Sequence, residues 1–252
     1  MCTVVILRRP DEPWPLLLAA NRDEMLARPS RPPGRHWSDR PNVIAGLDEL
    51  AGGSWLGLND EGVLAAVMNR RGSLGPADGM RSRGELVLEA LDHADARDAA
   101  EALSALDAQS YRAFNLIVAD NQDAYWLKGL GPDGPKTVEA FSVPAGLSMI
   151  TASDRNDRTS ARIRTYLPKF EAATVPDPER GEWSAWESLL RCRAHAPGTA
   201  AEDAMTIVTD YGFGTVSRSL IAVPGTGVRD RRPVWRYADG QQDPPQYIAI
   251  AG

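Results

Sequence analysis

Met1-Cys2-Thr3-Val4-Val5-Ile6-Leu7 opens the chain, a cysteine at the second position running straight into a β-branched apolar stretch. Such residues suit a pleated, half-buried surface, so residues 3–7 read as a strand. A second apolar run, Leu16-Leu17-Leu18-Ala19-Ala20, follows a turn carrying Pro10, Asp11 and Pro13, and the two runs predict a β-hairpin. The second run gives way to Asn21-Arg22-Asp23-Glu24, four polar groups expected at the strand end, across the hairpin from Cys2.

Removal of Met1, usual where residue two is small, would leave Cys2 with both a thiol and a free α-amine. A terminal amine has an ordinary pKa of about 7.7–8.0, close enough to neutrality to serve as a base. It can therefore activate the nucleophile beside it. The competing reading is a small apolar strand residue, since free cysteines are commonly buried and inert.

The 252 residues, 43% hydrophobic and 25% charged, suffice to bury a substantial core. A net charge of −6 and a pI near 5.2 argue against a general nucleic-acid binder, which needs a basic footprint. Arg22, Arg28, Arg31, Arg35 and Arg40 fall close together, either as an anion-binding face or as the product of a GC-rich genome. Two cysteines, Cys2 and Cys192, make no disulfide framework, and His36, His93 and His195 lie far apart. No metal and no cofactor is expected. Without an apolar run near 18 residues, no stable membrane insertion is expected, and the protein reads as soluble and cytoplasmic.

Along the chain the pattern is strand-rich, then helical, then strand-rich again. Residues 28–41, with their prolines and arginines, read as a loop. Short strands are expected at 44–46 and 53–58, then the Asn59-Asp60-Glu61-Gly62 turn and a doubly buried strand at 63–68 that stops at Asn69. Ser82-Arg83-Gly84-Glu85 has the form of a capping box opening one helix, and 95–106 reads as another. A hairpin at 114–119 and 124–127 follows, with strands at 137–141 and 147–151. Ile163, Tyr166, Leu167 and Phe170 have helical spacing, with Pro168 expected to kink or divide that helix. Residues 183–193 form the last helix, and strands close the chain at 215–223, 234–237 and 247–250.

Several chemistries drop out: GxxxxGK[ST] and GxSxG are both absent. What remains is a set of polar residues ending apolar runs: Cys2, residues 21–24, Asn69, Asn115, Ser153-Asp154 and Ser217-Arg218.

Six blocks then stand out in order: Met1-Cys2-Thr3, Ala20-Asn21-Arg22-Asp23-Glu24 with Arg28-Pro29, Gly53-Ser54-Trp55-Leu56-Gly57, Arg83-Gly84-Glu85-Leu86, Phe114-Asn115-Leu116 and Gly214-Thr215. Together they resemble the NRDE family, also called the transport and Golgi organization family, over essentially the whole chain. That family in turn resembles the N-terminal nucleophile acylases typified by conjugated bile-salt hydrolase, penicillin V acylase and isopenicillin N acyltransferase. The resemblance implies an α+β fold, a four-layer αββα sandwich with two antiparallel sheets between helix layers, in a single domain spanning 1–252.

It also implies roles. Cys2 matches the acylase nucleophile, and Asp23 an acidic residue that holds the nucleophile's amine and orients substrate. A carboxylate there would favour the protonated amine. The Asn59-Asp60-Glu61-Gly62 turn and the apolar run ending in Asn69 match a turn and strand after which the acylases place an oxyanion-hole asparagine, a role the resemblance gives to Asn69, and Arg218 lies near their late catalytic arginine. Asn21, Arg22 and Asp154 fall where substrate would bind. Two departures are evident. Ala20 stands where the acylases carry arginine, with Arg22 on the opposite strand face. Asp154 stands where NRDE relatives carry asparagine, and an aspartate supplies no amide donor.

Three functions compete. In the first, an N-terminal cysteine amidohydrolase or acyltransferase cleaves a non-peptide C–N bond or thioester of a small molecule. In the second, the fold is a carrier of a hydrophobic or anionic small molecule such as haem or lipid. In the third, it is an interaction protein of the secretory pathway. Self-association into a homo-oligomer is left open by the sequence.

Overall fold

The computed structural model describes residues 2–226 and 231–250. They fall into two compact units, Met1–Ala27 with Ala145–Ala251, and Arg28–Pro144.

The first unit is built on the opening hairpin. Strands β1 (Thr3–Arg8) and β2 (Leu16–Met25) pair antiparallel, Thr3 opposite Asn21 and Leu7 opposite Leu17. β2 does not stop at Ala20: it continues through Asn21-Arg22-Asp23-Glu24, correcting the expected strand end. It can do so because those polar groups find buried partners, as described below. Strand β10 (Gly146–Ile150) flanks β1, and β11 (Phe213–Val223), β12 (Val234–Asp239) and β13 (Ile248–Ala249) follow β2 in an antiparallel sheet ordered β10-β1-β2-β11-β12-β13. Helices α3 (Ala161–Ala172) and α4 (Ser184–Leu190) belong to this unit, α3 against β10 and α4 against β2. Their apolar stripe, Ile163, Tyr166, Leu167, Phe170, Trp186 and Leu190, packs on Val5, Leu17, Ala19 and Leu220 of the sheet. Ser160 caps α3 by accepting from the Ile163 N–H, and the helix runs on through Pro168 rather than dividing there.

The second unit has a seven-stranded antiparallel sheet ordered β3-β4-β5-β6-β7-β8-β9. Its strands are β3 (Ser30–Gly34), β4 (Val43–Asp48), β5 (Leu56–Asn59), β6 (Leu64–Asn69), β7 (Phe114–Ala119), β8 (Ala124–Gly129) and β9 (Glu139–Ser142). β3 corrects the all-loop expectation for 28–41, and its Pro32 and Pro33 sit where proline is tolerated, on an edge strand with a register shift. Helices α1 (Gly84–Ala90) and α2 (Ala96–Ser104) supply Leu86, Val87 and Leu103, with Leu91 just after α1, to a core with Val43, Ala65 and Leu116. The expected capping box is not formed: Arg83 occupies the cap of α1 without a side-chain bond, and Ser82 Oγ accepts instead from the Gly84 N–H at 3.2 Å. Asp95 does cap α2.

The quoted glycines mark a close approach. A Cβ on Gly53 would meet the Gly84 backbone at 2.6 Å, and Ser54 N–H donates to the Gly84 carbonyl at 3.1 Å. Two blocks far apart in sequence are thus pressed backbone to backbone, which only residues without side chains permit.

Candidate functional site

Cys2 immediately precedes β1 and is a free, half-buried cysteine. Its thiol donates to the backbone carbonyl of Asp23 at 3.6 Å, a weak sulfur contact across the hairpin. Burial foremost, and then the Asp23 charge, push the thiol pKa above its ordinary value, while the nearby Arg22 pulls it down. A thiol held in this way is predominantly protonated at neutral pH, so reactivity requires a base.

Period-two alternation along β2 sorts the residues after Ala20. Asn21 and Asp23 share the face of Leu17 and Ala19, which packs on α3 and α4. Arg22 occupies the opposite face together with Ala20, correcting the expectation that these two positions lie across the strand from each other. Asp23 is fully enclosed and accepts from two directions, from Arg162 Nη1 onto Oδ2 at 3.0 Å and from Thr215 Oγ1 onto Oδ1 at 2.6 Å. Thr215 Oγ1 in turn accepts the Ile207 N–H at 2.9 Å. Arg162, in the first turn of α3, is also without exposed surface, and it donates further to Thr3 Oγ1 at 2.7 Å and the Glu202 carbonyl at 2.5 Å. Thus a guanidinium does reach Asp23, from α3 rather than from position 20.

Asn21 donates its amide to the Leu190 carbonyl at 2.9 Å and the Met205 carbonyl at 2.8 Å. Arg218 lies opposite Asn21 on β11 and is 3% exposed. Its guanidinium donates to Thr206 Oγ1 at 2.9 Å and the Gly240 carbonyl at 3.1 Å, and burial lowers its pKa. Both side chains therefore tie the sheet to the 190–206 segment. Asp154 lies in the turn region after β10, partly exposed, its carbonyl accepting from the Asp157 N–H.

The structure brings Cys2, Asn21, Arg22, Asp23 and Arg218 together at one end of the β1-β2-β11 ladder. Asn69 belongs to the second unit, where it ends β6 opposite Phe114. Asn115 serves its own unit, accepting from Arg70 and from Trp126 Nε1. The arginine-rich stretch is matched within the chain: Arg28 pairs with Asp48, Arg31 with Glu49, Arg35 with Asp60, and Arg40 with Asp39 and Asp92. Each of these four arginines therefore has an acidic partner within its own unit. Among the described residues no His, Cys, Asp and Glu group could hold a metal ion, and no helix is long and apolar enough to cross a membrane.

Arg162 escaped the sequence reading because it adjoins the apolar stripe of α3 and looks like a solvated helix residue. One signal could have found it: a carboxylate inside a strand of buried residues requires a cation from elsewhere in the chain.

A family model described as Transport and Golgi organisation 2 matches residues 1–185. The chain belongs to that family. Curated members support it: the Transport and Golgi organization protein 2 homologs of Bos taurus and Homo sapiens are 40% identical over 112 residues and 39% over 111, each alignment covering 42% of this chain. The alignment spans 38% of the length of these curated relatives. Thr215 and Arg218 lie beyond the residues that the family model matches.

Solved structures extend the likeness at low identity. Penicillin V acylase from Agrobacterium tumefaciens aligns at TM-score 0.53 and 13% identity, over 99% of this chain and 86% of that one. A Caenorhabditis elegans N-acylethanolamine-hydrolyzing acid amidase ortholog aligns at 0.58 and 15%, over 91% and 94%. The C2A mutant of conjugated bile acid hydrolase from Clostridium perfringens aligns at 0.55 and 13%, over 99% and 92%. This family member therefore has the αββα fold of the N-terminal nucleophile hydrolases.

Proposed function

We propose that the chain is an N-terminal cysteine hydrolase acting on an amide or thioester of a small molecule. The observation that carries the reading is the position of Cys2, which immediately precedes β1 with its thiol against the Asp23 carbonyl, in a fold shared with acylases and amidases. Once Met1 is removed, the α-amine stands on the same residue as a thiol that is protonated at neutral pH. The amine takes the thiol proton and the thiolate attacks the substrate carbonyl. The proton passes to the leaving amine or thiol as the C–N or C–S bond breaks, leaving an acyl-thioester on Cys2. Water, deprotonated by the α-amine, then releases the acid and restores the thiol. Asp23 favours the protonated amine in each half-reaction, within a site where Arg162 balances its charge.

The test is turnover of an amide and thioester panel by the mature chain, Cys2→Ser and Cys2→Ala. Cys2→Ala is expected to abolish hydrolysis, whereas activity that survives it excludes the nucleophile role.

A further inference from the structure

Asp23 and Arg162 form an ion pair with no exposed surface on either side chain. Burying two charges costs desolvation that their attraction repays only in good geometry, so such a pair is weak evidence for stability alone. Its contacts are gathered around Cys2. The Nη1 atom that meets Asp23 Oδ2 also donates to Thr3 Oγ1, on the residue joined to Cys2. Asp23 receives the Cys2 thiol on its backbone carbonyl, and Nη2 anchors the arginine to the Glu202 carbonyl. One guanidinium thus connects the neighbours of Cys2 on two strands to α3.

We infer that Arg162 is a positioning residue for Cys2, fixing Thr3 and Asp23 about the thiol and offsetting the carboxylate charge beside it. Its consequence for catalysis rests on the reading of Cys2 as nucleophile. The charged and titratable groups around this point are Asp23 and Arg22 of β2, Arg162 and Tyr166 of α3, Arg218 of β11, Glu202 and the chain's own ammonium group. Of these, the Asp23 charge holds the thiol proton on, the ammonium and Arg22 loosen it, and Arg162 acts through the Asp23 carboxylate that it opposes. Loss of the Arg162 charge leaves Asp23 less opposed and raises the thiol midpoint.

The test follows Cys2 alkylation by iodoacetamide across pH in the full chain, read by peptide mass in a Cys192→Ser background. Arg162→Met is expected to raise the midpoint by about one unit and slow alkylation about tenfold at neutral pH. Arg162→Lys keeps a cation that can reach the carboxylate and is expected to stay within about threefold of the parent. A double Asp23→Asn/Arg162→Met variant carries neither charge, retains the fold by melting, and is expected to titrate at or below the parent midpoint. An unshifted midpoint in Arg162→Met, failure of lysine to rescue, or a raised midpoint in the double variant overturns the inference. Should the midpoint move as expected while the parent hydrolyses no amide or thioester, the positioning stands and the hydrolase reading fails. Turnover with an unmoved midpoint gives the reverse.

Discussion

Arg162→Met removes one half of an ion pair whose two side chains are wholly enclosed. It also deletes the donors to the buried Thr3 Oγ1 and the partly buried Glu202 carbonyl, leaving both oxygens short of a bond. Breaking a buried pair by deleting one partner costs about 3–5 kcal/mol, chiefly because the remaining charge stays buried. A chain of this size loses about 2–4 °C of melting temperature per kcal/mol, so the expected fall is about 6–20 °C. Circular-dichroism melting of the parent and the variant reads it directly. The double Asp23→Asn/Arg162→Met variant should recover much of the loss, since it leaves no stranded charge. A single variant melting within about 2 °C of the parent would mean a cost near 1 kcal/mol or less and would refute this account of the pair.

Other outcomes follow from the same physical picture. Asn69→Ala should lower kcat about 10²–10³-fold with melting unchanged if its amide has the oxyanion role that the resemblance implies, and unchanged kcat rules that role out. Gly53→Ala forces a Cβ to within 2.6 Å of the Gly84 backbone and should cost about 1–3 kcal/mol in a denaturant titration; a neutral result contradicts the close approach. Tyr111 is fully buried, and desolvation pushes its pKa up to about 12. A phenol raised in the folded state stabilises below its unfolded value near 10, and that contribution is lost as pH rises through about 12. A Tyr111→Phe difference titration at alkaline pH should show that phenolate appearing only with loss of native circular dichroism. Its ionisation near 10 in the intact fold would contradict the burial.

The opening hairpin was legible because residues 3–7 and 16–20 carry β-branched and apolar side chains throughout. The continuation of β2 was not legible, since four consecutive polar residues resemble a strand end when only neighbours in sequence are considered. Their partners are remote: Asn21 is satisfied by the carbonyls of Leu190 and Met205, and Asp23 by Arg162 and Thr215. Polar groups buried in this way reveal themselves only when the fold closes. The same limit hid β3, whose Arg31 and flanking Arg28 and Arg35 pair with Glu49, Asp48 and Asp60 outside the stretch itself. Ser82 shows the opposite error, a local motif that reads as a capping box while tertiary packing against Gly53 sets the helix start. Cys2 and Asp23 were found from the sequence through resemblance and chemistry together, whereas Arg162 depended on knowing that Asp23 is enclosed.

The central claim, that Cys2 is an N-terminal nucleophile, is tested most directly by acid-quenching the mature chain during incubation with a slowly hydrolysed acyl thioester and mapping the N-terminal peptide by mass. The account predicts a peptide that begins at Cys2, lacks Met1 and carries one acyl group on the Cys2 sulfur. An active chain that retains Met1, or one whose acyl group maps elsewhere, would contradict it.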